Sequence, residues 1–388
     1  MNDLRTSIVA DGEGFRRLGP EWDALLDRSR SGSVFLAWGW LYAWWCHLAG
    51  DRELRLVTVR DERGALIGIA PFCIQREGTL PRLRVLTFLG RERVSSEYLD
   101  VIAEPGREEA ICRAVWGALL DSRPDWDFLR FPDMTESAGL LRSLDGLADS
   151  RAFAKQNLPA EICPYLPLAP TRDAFHEAIG GSLRRRARQL ARYLEQAGAT
   201  VRTVDAPDEL PSTLETLFRL HARRWSTRRQ TGNFEDGRVR AFHFQVASVL
   251  GPRGAVRLYV MTRAQEPIAA LYALQYKDTL FFYQSGFEPR AERLGLKPHE
   301  YSPGFVLVYH SMLDAVDRGL RSFDFLRGPE EYKSRWTKEA RVTRCLTIVP
   351  RANVAALGRH HWGRAVALSK RTVKRLLGRT PAPEWGRS

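Results

Sequence analysis

The chain has 388 residues, a net charge of +13, 44% hydrophobic and 27% charged residues. That balance belongs to a soluble globular protein and excludes a disordered or fibrous chain, and the length favours two domains of ordinary size. Five scattered cysteines (Cys46, Cys73, Cys112, Cys163, Cys345) form no C-x-x-C and have no His at metal-ligand spacing, so neither a disulfide framework nor a structural zinc is expected, and the compartment is read as reducing.

In chain order, "MNDLRTSIVADGEGF" lacks an apolar signal core. The most apolar stretch, "VFLAWGWLYAWWCHLA" (34–49), is short for a membrane span and predicts a buried aromatic helix. "RLVTVRDERGALIGIAPF" (55–72) reads as strand, polar turn, strand. "EEAICRAVWGALLDS" (108–122) is helix-like, and "WDFLRFPDM" holds a strand at Asp127–Arg130. The three prolines of "ICPYLPLAP" (162–170) mark a join. In "SLRRRARQLARYLE", Leu183, Ala187, Leu190 and Leu194 form an apolar stripe, with Arg184, Arg188 and Arg192 on another face. That basic face is a solvated one by default, or a contact to phosphate or membrane.

The same order then returns. "RLYVMTRAQEPIAALYAL" (257–274) matches the first hairpin, and "GFVLVYHSMLDAVDRG" (304–319) the helix. "FDFLRGPEEYKSRW" (323–336) repeats DFLR at Asp324–Arg327. The chain therefore predicts two copies of one α/β unit. Expected boundaries are 1–161, 162–350, and a basic tail at 351–388. From Gly358 to Ser388 the tail carries eight Arg or Lys against one Glu. "HHWGRAVALSKRTVKRLLGR" reads as an amphipathic helix, lying on an anionic membrane or packed on the protein with a solvated face.

Ligands in open α/β sheets sit beyond the carboxyl ends of strands, and there the copies differ. The first continues Phe-Pro-Asp-Met; the second has Gly328, Pro329 and Lys333. Phe323 and Phe325 should share one face of the strand, Asp324 and Leu326 the other. Asp324, needing partners if buried, reads first as a structural carboxylate bonded to backbone N–H groups, as does Asp127. Lys333 is either a surface partner of Glu330 at i, i+3 or a cation reaching into a cleft; its rarity, seven Lys against 52 Arg, favours the second. Tyr332 and Trp336, four apart, should share a helix face.

The second half resembles the GNAT-superfamily acyltransferase domain of CelD-type cellulose-biosynthesis proteins, which are relatives of the Fem-type tandem GNAT enzymes. The resemblance rests on "LHARRW" (220–225), "GNFED" (232–236), "PIAALYAL", "FFYQSGFEP" (281–289), "SPGFVL" (302–307), "FDFLRG" and "YKSRW". It covers about residues 165 to 350, and the first half matches the family's leader in "GIAPF" and the Trp-rich helix.

The resemblance implies an α/β (α+β) fold of tandem GNAT-like domains, each a mixed twisted sheet flanked by helices. It implies transfer of an acyl group from acyl-CoA to an amine, or a hydroxyl, of a sugar, polysaccharide or cell-envelope precursor. The chemistry needs an oxyanion donor, a base for the nucleophile and a proton for the leaving thiolate. Tyr332 is the implied acid, and Lys333 the counterpart of a phosphate-contacting Lys of Fem-type relatives. His221, with Trp225 at i, i+4, is either a satisfied semi-buried residue or a general base. Tyr283, Ser285 and Gly286 end a strand beside the acyl site and, with Trp225, Arg327 and Gly328, suit acceptor binding or plain turn chemistry. Ser302, Gly304 and Phe305 stand where the family binds the carrier's pyrophosphate. The usual Gly-rich loop is reduced there to one Gly beside Pro303, although a helix N-terminus remains to receive an anion.

No metal is expected, and a nucleic-acid partner is disfavoured. The expected location is cytoplasmic, with a peripheral seat at the inner membrane face if the tail binds lipid. Two other readings stand beside this one: a Fem-like ligase using aminoacyl-tRNA, which lacks the family's coiled-coil arm here, and a non-catalytic module binding anionic polymer or membrane.

Overall fold

A computed structural model describes residues 4–226 and 232–358. It divides into two compact units, residues 1–162 with 341–388, and residues 163–340. Most of the tail expected to be an amphipathic helix, residues 359–388, lies outside the described residues. No helix among the described residues is long and apolar enough to cross a membrane.

The first unit runs β1 (Arg5–Val9), α1 (Gly12–Arg17), α2 (Gly19–Arg28), α3 (Trp38–Leu48), β2 (Glu53–Arg60), β3 (Leu66–Glu77), β4 (Leu83–Phe88), β5 (Ile102–Ala103), α4 (Glu108–Asp121), β6 (Phe128–Met134) and α5 (Gly139–Leu147). The stretch read as a buried aromatic helix is α3, with Trp40 and Trp44 almost wholly buried. The strand β7 (Phe153–Pro167) carries the chain from the first unit into the second at Ile162.

The second unit continues α6 (Arg172–Ala178), α7 (Gly181–Gln196), β8 (Ala199–Val204), α8 (Leu210–Ser226), α9 (Gly237–Leu250), β9 (Val256–Arg263), β10 (Glu266–Tyr276), β11 (Thr279–Phe287), α10 (Pro303–Asp317), β12 (Ser322–Asp324) and α11 (Glu331–Ser334). The last strand, β13 (Ala340–Pro350), returns to the first unit, where Leu346 pairs with Phe131 of β6. The expectation that 341–350 belong with the second domain is thereby corrected: antiparallel pairing along β6 outweighs proximity in sequence.

Both units are mixed sheets flanked by helices, as expected. In each, an antiparallel hairpin (β2–β3, β9–β10) leads to a strand that pairs in parallel with the DFLR segment. Parallel strands need a crossover, and α4 and α10 supply it. α10 is buried over most of its surface, with Val306, Leu307, Val308, Met312 and Ala315 in the core against α7 and the sheet. α7 buries the predicted stripe at Ala187, Leu190 and Leu194, with Leu183 packed at its margin.

The two DFLR segments differ in where their strands stop. In the first unit β6 runs on for seven residues through Met134. In the second, β12 ends at Asp324, and Leu326 turns to φ 57°, a left-handed conformation that costs a branched apolar residue energy. Asp127 is tied across the sheet to the Arg84 amide at 2.7 Å, whereas Asp324, fully buried, accepts the Leu326 amide at 2.8 Å and so braces the turn. Both carboxylates hold backbone N–H groups, but they do different jobs.

Candidate active site

The parallel strands β11 and β12 pair only at Thr279–Phe281 against Ser322–Asp324, after which β11 runs on without β12 for six residues. The strands thus part, leaving the β11 edge beyond Phe281 without this partner. β11 also carries a bulge. Opposite the consecutive pair Tyr272 and Ala273 of β10 lie Gln284 and Phe282, so Tyr283 is the extra residue.

The bulge changes the alternation of side chains. Phe282 lies on the α10 side, its ring 6.5 Å from that of Phe323. Phe287, five residues on, also faces α10, against Gly304. Two residues an odd number apart share a face of a strand only when one residue is inserted between them. Gly286 consequently faces α8. A side-chain carbon there would lie 2.7 Å from the Leu220 carbonyl carbon and 2.8 Å from His221 Cα, so glycine lets strand and helix touch.

Three walls line the opening. On the β12 side, Phe323 and Phe325 share a face as expected, with ring centroids 5.0 Å apart. Tyr332 stands 6.5 Å from Phe282 and from Phe325. The Tyr332 ring is partly open to solvent, and its hydroxyl makes no hydrogen bond to the described residues. Its phenol is pushed well above the ordinary value, first by burial and then by the Glu330 carboxylate. On the α8 side Arg224 reaches the Ser285 hydroxyl at 3.3 Å and lies over the Phe287 ring at 4.9 Å.

The third wall is the start of α10. Ser302 occupies the N-cap without a side-chain cap bond, Pro303 follows, and the first turn carries no acidic residue. The Gly304 and Phe305 amides have no carbonyl four residues back within the helix. Phe305 stacks on Trp336 at 4.8 Å, and the buried Trp336 Nε1 has no hydrogen-bond partner among the described residues. These residues fit an anionic carrier. α4 of the first unit opens instead on Glu108 and Glu109 and repels one.

The expected helix over Tyr332–Trp336 is a single turn ending at Ser334, so Tyr332 is partly exposed while Trp336 is 4% exposed in the core. Lys333 is the larger correction. It forms the expected pair with Glu330, at 2.8 Å, but is itself only 3% exposed. Its ammonium also donates to the Leu326 and Arg327 carbonyls at 3.2 and 2.6 Å. Its three hydrogens have three acceptors, and it ties down the turn after β12. Arg327 enters this arrangement through its carbonyl, and Gly328 through a φ of 111°.

His221 is 1% exposed, and Trp225 Nε1 donates to its Nε2 at 2.8 Å. Neutral imidazole then carries its hydrogen on Nδ1, which finds no acceptor among the described residues. Burial, then Arg224, pushes its pKa down to about 4. With its lone pair engaged and its basicity suppressed, it is ill suited to the general-base alternative and instead fixes α8 beneath β11. Tyr283 points into a buried cluster with His243 and Tyr272, each ring 5.3 Å away. Sequence reasoning missed Arg224 and His243. The first is one arginine among many; the second, between Phe242 and Phe244, carries a signal only as a polar residue in an apolar helix segment.

Residues 181–334 match the family described as an acetyltransferase (GNAT) domain. The second unit has a GNAT-type fold. A crystal structure of FemX is similar at 11% identity, covering 91% of this chain and 99% of that one, with a TM-score of 0.60. The C-terminal DUF2156 domain of a proposed lysylphosphatidylglycerol synthetase from Agrobacterium fabrum is similar at 12% identity, 93% and 97% coverage and a TM-score of 0.55. L-PGS from Bacillus licheniformis follows at 10%, 84% and 90%, and 0.51. At such identities the likeness is one of fold. Comparison with curated proteins finds no match. No metal-binding group of His, Cys, Asp or Glu occurs among the described residues.

Proposed function

We propose that this GNAT-type acyltransferase moves an acyl group from acyl-CoA to an amine, with a hydroxyl as the lesser alternative, on a sugar, polysaccharide or cell-envelope precursor. The observation that carries the reading is the opening between β11 and β12, with the Tyr332 ring on one side and the acid-free start of α10 beside it. The envelope assignment is supported by the CelD-type motif set of the sequence.

A bound thioester supplies the electrophilic carbonyl carbon. The acceptor nitrogen bonds to that carbon, the C–S bond breaks, and the sulfur leaves with the bonding pair. Tyr332 then gives its phenolic proton to the sulfur, and the proton that the nitrogen sheds passes through solvent and restores the phenol, whose ring is partly open to water. Backbone N–H groups at the bulge are suited to the developing oxyanion, because a bulged residue leaves the ladder. Gly304, Phe305 and Ser302 receive the carrier's anionic portion. Lys333 and Asp324 position the turn that carries Tyr332. Ser285, Gly286, Trp225 and Arg224 form the acceptor side.

Thiol release from a panel of acyl-CoA thioesters, with amino sugars as acceptors, tests the reading. Release that depends on acceptor and is lost in Tyr332→Phe supports it. Transfer only from charged tRNA selects the Fem-like ligase instead, and a chain that neither binds nor turns over any thioester is the non-catalytic module.

A further inference from the structure

We infer that the outward face of α7, carrying Arg184, Arg185, Arg188 and Arg192, is a docking surface for an anionic lipid bilayer. Several exposed arginines of the second unit carry a counter-charge, as Arg172 does in Asp317, Arg202 in Glu209 and Arg238 in Asp236. α7 holds five arginines, and none pairs with a carboxylate among the described residues. Arg186 donates to the His299 carbonyl at 3.0 Å and Arg188 to His176 Nδ1 at 3.1 Å. Neither acceptor brings a negative charge; burial, then Arg188, holds the His176 pKa below its ordinary value. Arg184, Arg185 and Arg192 have no side-chain partner among the described residues.

The placement of charge also works against the helix. Its arginines begin in and directly after the first turn, and its one acid, Glu195, lies in the last turn, the reverse of what the helix dipole favours. Like charges at Arg184, Arg188 and Arg192, four apart, repel. An external anionic partner would offset both costs. With Ala187, Leu190 and Leu194 turned into the core, Arg184, Arg188 and Arg192 stand in one row about 12 Å long, Arg185 beside it. A straight row on the convex side of a helix meets a flat anionic surface along its whole length, whereas a single small anion reaches one or two of its members. Single-stranded nucleic acid uses aromatic platforms, and the aromatic residue of α7, Tyr193, is turned aside, its hydroxyl accepting the Lys297 amide at 2.9 Å. The docking surface stands apart from the acyltransferase reading. On that reading, the acceptor of a docked chain is a lipid-linked precursor presented by the same leaflet.

Flotation of the full chain with vesicles of equal parts phosphatidylglycerol and phosphatidylcholine, and of phosphatidylcholine alone, tests the surface. The wild type is expected to bind only the anionic vesicles, and added salt to weaken that binding. The combined variant Arg184→Gln, Arg185→Gln, Arg192→Gln removes side chains that hold nothing in the fold; it should melt like wild type and bind about 100-fold more weakly, at about fivefold per arginine. Arg184→Lys, Arg185→Lys, Arg192→Lys keeps the charge and should keep the binding. Loss of binding in the lysine variant points to guanidinium geometry and a discrete phosphate ligand, and overturns the proposal. So does a glutamine variant that binds the vesicles like wild type. So does an equal loss in Arg113→Gln, Arg202→Gln, Arg238→Gln, which removes the same net charge from paired arginines. Binding of single-stranded RNA in place of the vesicles, lost in the glutamine variant, overturns it in favour of a nucleic acid. Vesicle binding as expected in a chain without transferase activity keeps the docking surface and discards only the lipid-linked acceptor.

Discussion

Acidification should unfold the second unit selectively. His221 and His243 are 1% and 0% exposed, and burial pushes their pKa values down to about 4 and about 3. In the unfolded chain each returns to about 6.5. A histidine depressed in the folded state contributes stability above its unfolded pKa, and that contribution drains as pH falls toward the folded one. At pH 5 the unfolded chain holds nearly one more proton per histidine than the folded chain, which costs about 2 kcal/mol each relative to pH 7, or about 4 kcal/mol for the pair. For a unit spanning residues 163–340 this lowers the melting temperature by about 8 to 16 °C. Scanning calorimetry from pH 7 to pH 5, with the wild type and His243→Phe, measures it. The variant puts a ring among Phe242, Phe234 and Phe218 that cannot be protonated and should halve the slope. Asp100 of the first unit, raised to about 6 by burial against three amide bonds, acts in the opposite sense over the same interval. A second-unit transition that moves by less than about 3 °C, or a slope that His243→Phe leaves intact, refutes the reasoning.

Gly286→Ala places a carbon against the α8 backbone and should destabilise the second unit by about 2 kcal/mol or more in urea unfolding, since the neighbouring atoms belong to a helix rather than to a flexible side chain. Lys333→Met strips a donor from two carbonyls and should cost about 2 to 4 kcal/mol; melting like wild type would show that the turn holds without it. Tyr332→Phe should melt like wild type and lose about 100-fold or more in kcat, and full activity in steady-state assays would remove Tyr332 from the chemistry. Trp225→Phe leaves His221 Nε2 without its donor and should cost about 1 kcal/mol, read from the same calorimetric transition.

The fold was legible where it depends on local pattern. The hairpin, helix and strand recur in order, and period-two alternation placed Phe323 and Phe325 on one face. What escaped the sequence is tertiary. Nothing local in DFLR tells that one strand continues and the other stops, because the end of β12 is set by Asp324 capping Leu326 and by Lys333 reaching back to two carbonyls. The Lys333–Glu330 pair was visible at i, i+3, but the burial of the lysine was not. His221 and Trp225 were paired correctly by helical spacing, yet the direction of their hydrogen bond, which decides whether a lone pair is left for catalysis, requires coordinates. The return of β13 to β6 joins residues some two hundred positions apart and leaves no local trace.

The extra residue at Tyr283 gives β11 one position of slack in its length. Residues 284–287 are held one step out of phase with those before them. Deleting Tyr283 would restore plain alternation, leaving Phe282 and Phe287 four apart on the α10 side and Gly286 still against α8. Loss of a second position would turn Ser285 and Phe287 toward α8 and drive a side chain into the contact that Gly286 now keeps clear. Substitutions in this strand act on one side chain at a time, whereas that second change in length exchanges the two faces of the strand for everything downstream.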